Sequence, residues 1–212
     1  MAVTAAAWWV RSRAPARRSA AAPAATNLLA ALMALEAREA AAAQTIWPLE
    51  LQAQRHGRVF EDLWDTLHQA ANKLAALASF DPGSVVLPNF APPAELPHDI
   101  RLYMPQATSA GRELAVAAWR AWLEVLREEG WELDHLEFRH NRFSAAAAGQ
   151  SAESLFGFRA HLTRCAALDA PETRAALEGE LRVMWTPVSA ETERPAPLLV
   201  DARRIALKTR AG

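Results

Sequence analysis

The sequence contains a single cysteine, Cys165, in 212 residues. One thiol excludes an internal disulfide framework and a cysteine-rich zinc site. Glycine is scarce at eight residues, and no group of glycines forms a phosphate-cradling loop; G-x-S-x-G and H-E-x-x-H are missing as well. Neither sign of charge dominates: 23 basic and 24 acidic residues leave a formal charge of −1. A broad polyanion-binding face is therefore not expected, and nucleic acid is not an expected partner. The apolar opening of the chain is about nine residues long, against the ~20 that a membrane-spanning helix needs.

What is abundant is alanine, roughly a quarter of the chain against a more even usual mix. Alanine favours helix but contributes little buried area. The core must then come from the larger side chains, eight Trp and seven Phe together with Leu, Val and Ile. With 51% hydrophobic residues the chain lies outside the disordered class.

Residues 1–26 stand apart in composition. An apolar start with Trp8, Trp9 and Val10 precedes Arg11, Arg13, Arg17 and Arg18. A secretory signal places its positive charges before the apolar stretch, so two readings stand: a flexible tail, or the remnant of an anchor or export signal with its tryptophans at a membrane–water interface. Thr26 or Asn27 can cap a helix over 27–44. Ile46-Trp47-Pro48 interrupts it, and Pro48 suits the first turn of a second helix.

In that second helix Phe60, Leu63, Trp64, Leu67, Ala71, Leu74 and Leu77 recur at helical spacing, and Gly57 marks a break or a close contact. The turn chemistry of Asp81-Pro82-Gly83 ends it near Phe80. Val85-Val86-Leu87 and 99–105 read as short strands, separated by a stiff proline connector. A third helix spans 111–129, with Leu114, Ala117, Ala118, Ala121, Val125 and Leu126 inward, and stops at Gly130.

From Trp131 the period becomes two. Trp131 and Leu133 share one parity and Leu136, Phe138 and His140 the other, which a β-bulge near Asp134-His135 would reconcile. Phe156, Phe158, Ala160 and Leu162 alternate with polar or small residues, as do Leu177, Leu181, Val183 and Trp185. Val200 and Ala202, then Ile205 and Leu207 after a parity slip at Arg203-Arg204, make a fourth strand. The expected fold class is α+β, N-terminal helices packed on a C-terminal four-stranded antiparallel meander, with one domain over 45–212. Trp64 and Leu67 should face Phe156, Phe158, Leu181 and Val183 across the core.

The densest polar cluster is 134–141. His135 and Glu137 share a strand face, and His140 could join them in a metal site only through a bulge. The spacing fits no zinc signature, and a solvated strand face accounts for it. Cys165 could be a nucleophile if His161 lowered its pKa, but four residues along a strand is roughly 13 Å. The row Glu178, Glu180 and Arg182 is read as solvated or cross-strand paired. No catalytic, cofactor-binding or metal-binding residue is therefore assigned, and no cofactor is expected.

Helices followed by a curved meander resemble the cone-shaped fold of nuclear-transport-factor-2-like and SnoaL-like proteins. That resemblance implies either an isomerase-type enzyme or a non-catalytic assembly domain. The isomerases pair an acidic base with Tyr or a protonated Asp, whereas the only tyrosine here, Tyr103, lies outside the meander. The wording of 56–80, 128–143, 181–187 and 205–212 is similar to the N-terminal module that precedes integrin-type FG-GAP repeats in exported bacterial proteins. It implies an interaction or structural module of an exported or membrane-tethered protein, with a protein partner and with a homodimer left open. A small-molecule-binding or isomerase-type enzyme, its pocket between helices and sheet, is the alternative; a cytoplasmic location goes with it. A filled core would favour the module. An open cavity with a convergent acid and histidine would favour the enzyme.

Overall fold

The computed structural model describes residues 22–146, 150–164, 172–187 and 194–211. The chain divides into two units, Met1–Ile46 and Trp47–Gly212. One helix, α1 (Ala22–Gln69), runs through the division. The pattern had suggested two helices broken at Ile46-Trp47-Pro48, but Pro48 lies inside a single helix. A proline removes one i→i−4 hydrogen bond, and the alanine-rich turns before it supply enough propensity to carry the helix past that gap.

In the first unit Leu28, Leu29, Leu32, Met33 and Leu35 are all exposed. In the second, α1 buries His56, Val59, Phe60, Leu63 and Leu67. It ends at Gln69, and α2 (Lys73–Ser79) restarts after a short break, its N-terminus capped by the Asn72 side chain on Ala75 N–H. Trp64 does not face the sheet as its spacing suggested. It is 39% exposed and stacks on the His68 ring one turn away, because the buried stripe 56–60–63–67 runs along a different line of the helix.

The strands are β1 (Ser84–Leu87), β2 (Ala94–Leu96), β3 (Ile100–Tyr103), β4 (Arg112–Ala115), β5 (Trp131–Ser144), β6 (Glu153–Arg164), β7 (Thr173–Trp185) and β8 (Pro197–Ala211), with α3 (Val116–Glu128) between β4 and β5. They form an α+β fold around one antiparallel-dominated sheet. The sheet is not the expected four-stranded meander: among the described residues it has eight strands, in the order β2-β3-β8-β7-β6-β5, with β1 pairing both β4 and β8. The reason is the length of β8. A meander ending in a 15-residue strand would expose a long edge of unpaired backbone groups. Two short strands cover it instead. β1 pairs in parallel with Leu199–Asp201, and β3 pairs antiparallel with Leu207–Arg210.

Register slips put the apolar residues of these long strands on one face. β5 slips between Leu133 and His135, where the parity break had required a bulge, and again between His140 and Arg142. In β8, Glu180 pairs with Arg204 but Arg182 pairs with Asp201, so two residues oppose one. Leu133, Leu136, Phe156, Ala160, Leu162, Leu181, Val183, Val200, Ala202 and Ile205 are buried as a result. α3 turns Leu123 inward, with Trp119, Trp122 and Leu126 packed against the core; Val125, assigned inward from its spacing, is exposed. The opposite sheet face is charged and cross-strand paired. Glu178 lies 2.9 Å from Lys208 and 3.4 Å from Arg159, and Glu180 lies 2.9 Å from Arg204.

Candidate functional site: an apolar cavity and its polar neighbours

Between the inner sheet face and the helices the core is not filled. A cavity of about 560 Å³ lies there. Its floor is built from inward residues of β5 to β8, such as Phe138, Phe158, Ala160, Leu177 and Ile205; its cover is Leu74 and Leu77 of α2 and Trp119, Trp122 and Leu126 of α3. Small residues help to keep it open. Where β6 and β7 would need bulk to fill the centre, they carry Ala160 and Ala175. The volume falls inside the ~300–1,000 Å³ range of small-molecule sites.

The walls are almost wholly apolar. Their polar side chains are Asn89, Arg112 and Thr209, and Arg112 is the charged one. Among the described residues no aspartate, glutamate or histidine lines the space. Asn89 Nδ2 donates to Ser109 Oγ at 2.7 Å. The Arg112 side chain makes no hydrogen bond or ion pair among the described residues. On α3 the Trp119 indole N–H, covered by protein, has no acceptor.

At one end of the core lies a polar cluster that the sequence did not advertise. Ser154 is fully buried. The Trp185 indole N–H donates to its Oγ at 3.0 Å, and His140 Nε2 lies 3.1 Å from the same oxygen. His56 packs on Trp185 and Phe143, with ring centroids 4.8 and 4.7 Å apart, and its Nδ1 is 2.7 Å from the Gln52 carbonyl oxygen. Gly57 lets α1 approach this closely, since a Cβ there would stand 3.0 Å from His140 Nδ1. Burial pushes both imidazoles below their ordinary pKa, and the nearby His140 and Arg55 charges lower His56 further. Neutral histidines beside a serine have the chemistry of a nucleophile and base. Here, however, the hydroxyl is sealed from solvent, and none of the three residues reaches the cavity wall. They hold α1 on the sheet.

The residues singled out from the sequence do not converge. His135 is exposed beside His161, with rings 5.7 Å apart, and Glu137 is exposed opposite Arg159. His140 lies on the other face, stacked on Phe156. Among the described residues no group of three His, Cys, Asp or Glu could hold a metal ion. Tyr103 does not line the cavity; its ring lies 6.2 Å from that of Phe90, which does. Asp201, the most buried carboxylate among the described residues, is destabilised by burial, but the Arg203 guanidinium that grips both its oxygens outweighs this and lowers its pKa. It is an ion-pair anchor for the β8 bulge, not a free base. Cys165, Trp8, Trp9 and Arg11 to Arg18 lie outside the described residues.

No protein-family model and no curated protein matches the chain. The cavity therefore has to be interpreted from its own walls. Three tryptophans, Trp119, Trp122 and Trp131, line it, which gives any occupant a fluorescence signal.

Proposed function

We propose that this chain binds an apolar small molecule in the cavity between sheet and helices and does not transform it. The observation that carries this reading is the combination of a ~560 Å³ space with walls that, among the described residues, hold no aspartate, glutamate or histidine. An isomerase site would need an acid or base within hydrogen-bond reach of its substrate, and no described aspartate, glutamate or histidine lines the cavity. Binding is driven by removal of apolar surface from water, at about 25 cal/mol per Å².

The test is titration with 1-anilinonaphthalene-8-sulfonate while following tryptophan emission. The expected result is saturable one-to-one binding with energy transfer from the cavity tryptophans, lost in Ala160→Trp, which puts an indole into the space. Binding unaffected by that substitution would place the dye elsewhere and remove the reading.

A second role, as a protein-interaction module, is favoured by the first unit. Leu28, Leu32 and Leu35 are exposed at four- and three-residue spacing, the pattern of a seam that pairs with another helix. A second copy of the chain is the simplest partner for such a seam. Sedimentation should then show a dimer that Leu32→Glu with Leu35→Glu converts to monomer. An exported or tethered bacterial protein of the kind that carries FG-GAP repeats would be a natural setting, and it rests on the wording of the sequence. No helix among the described residues is long and apolar enough to cross a membrane.

A further inference from the structure

The walls also contain information about the polarity of the occupant. Of the described residues around the cavity, Arg112 alone is charged, and it is exposed at the edge of the sheet on β4. Five arginines of the long strands, Arg159, Arg174, Arg182, Arg203 and Arg204, are ion-paired on acidic neighbours, and none of the five lines the cavity. Arg112 makes no such contact among the described residues. Its position is held firmly nonetheless. It pairs with Leu87, which itself lines the cavity. The preceding Gly111 has φ 75°, and a Cβ on it would meet the Leu87 carbonyl oxygen at 2.6 Å. The backbone thus lies close against β1 at this point, one residue before Arg112. An arginine stem can lie along apolar wall while its guanidinium remains at the water boundary.

We infer that the ligand is an amphiphile with a carboxylate head, an apolar body held in the cavity and an anionic end paired with Arg112. The inference rests on the proposed binding of an apolar molecule and adds its headgroup. A planar guanidinium matches a carboxylate with two parallel hydrogen bonds. A cavity of about 150 Å³ holds one benzene, so the present space suits a body of roughly four such rings, or a chain of comparable bulk. A straight-chain acid and a fused-ring acid share this chemistry.

The experiment compares tetradecanoate, tetradecanol and tetradecyltrimethylammonium, each below its micellar concentration, by tryptophan emission and by shift of the melting midpoint. The wild-type protein should bind the acid about tenfold more tightly than the alcohol, the gain from one charge-assisted contact of ~1.4 kcal/mol, and the cation most weakly. Arg112→Gln should bring acid and alcohol to equal affinity while leaving the alcohol affinity unchanged, which also shows that the variant is folded. Equal affinities in the wild type, or a preference for the acid that survives Arg112→Gln, would overturn the carboxylate assignment while leaving apolar binding intact. Failure of all three amphiphiles to bind would overturn both. A fused-ring acid of similar mass, run in parallel, identifies which body shape the cavity accepts.

Discussion

At the scale of single residues, burial separates side chains that look alike in the sequence. Phe60 and Trp64 sit one helical turn apart and both read as core. Phe60 is 2% exposed and packs its ring on Phe138 and Phe156 at 4.9 and 4.6 Å. Phe60→Ala should therefore cost about 3–5 kcal/mol, whereas Trp64→Ala should cost no more than about 1 kcal/mol. Urea unfolding of the two variants checks this. The histidine pair gives a pH dependence with a definite sign. His56 and His140 titrate lower in the folded protein than in the unfolded chain. Below the ordinary imidazole value of 6.5 the unfolded state thus binds more protons, and stability falls as pH falls. The loss is at most about 1.4 kcal/mol per pH unit for each histidine. Melting midpoints should drop between pH 7.5 and pH 5.5, and His56→Gln with His140→Gln should flatten that drop whatever it does to the midpoint at neutral pH.

At the scale of elements, the long strands were legible, as were the short β1 and β3, whereas β2 and β4 were not. β5 to β8 run for 12 to 15 residues, long enough for alternation to rise above chance and for its interruptions at Asp134 and Arg203 to read as bulges. β2 and β4 have three and four residues. Their only reason to be extended is the edge they cover, which no local pattern records. The helix break at Pro48 was expected from a rule about proline and overridden by its neighbours. The same residue offers a test: Pro48→Ala restores a hydrogen bond to the Gln44 carbonyl and removes a penalty of up to about 3 kcal/mol within the helix. Amide exchange around 44–50 should slow, with little change in the unfolding of the sheet. The polar group His56–His140–Ser154 escaped notice because its members come from one helix and two strands far apart in sequence. What signal existed was the single glycine, Gly57, in an otherwise regular helical stripe. A pocket between helices and sheet was one of two alternatives, and the choice between a filled core and an open one could not be made, since a sequence gives the faces of its elements but not how far apart they stand.

At the scale of the whole molecule, the unfilled core is a store of stability given up. Ala160 and Ala175 are both buried and both face the space. Ala175→Leu should fill part of it and raise the stability of the empty protein by about 1 kcal/mol, as cavity-filling changes commonly do. The same change should weaken binding of 1-anilinonaphthalene-8-sulfonate. A variant that becomes less stable would mean the walls are already in contact at that point and the space does not extend to β7.

The place of β8 carries a further consequence, for the order of events during synthesis. β8 lies inside the sheet, with β7 on one side and β1 and β3 on the other. β1 and β3 leave the ribosome well before it, and their long partner does not yet exist. Val85 and Val86 can pair with β4 soon after they are made, but the other edge of β1 has its parallel contacts only with Leu199 to Asp201, so that edge must wait through the making of α3 and six further strands. β5, β6 and β7 can pair with one another in the meantime as local hairpins. Completion of the sheet is a late, long-range closure, slow by the general dependence of folding rate on sequence separation. In that interval a chaperone that shields extended apolar segments would have 84–103 as its target.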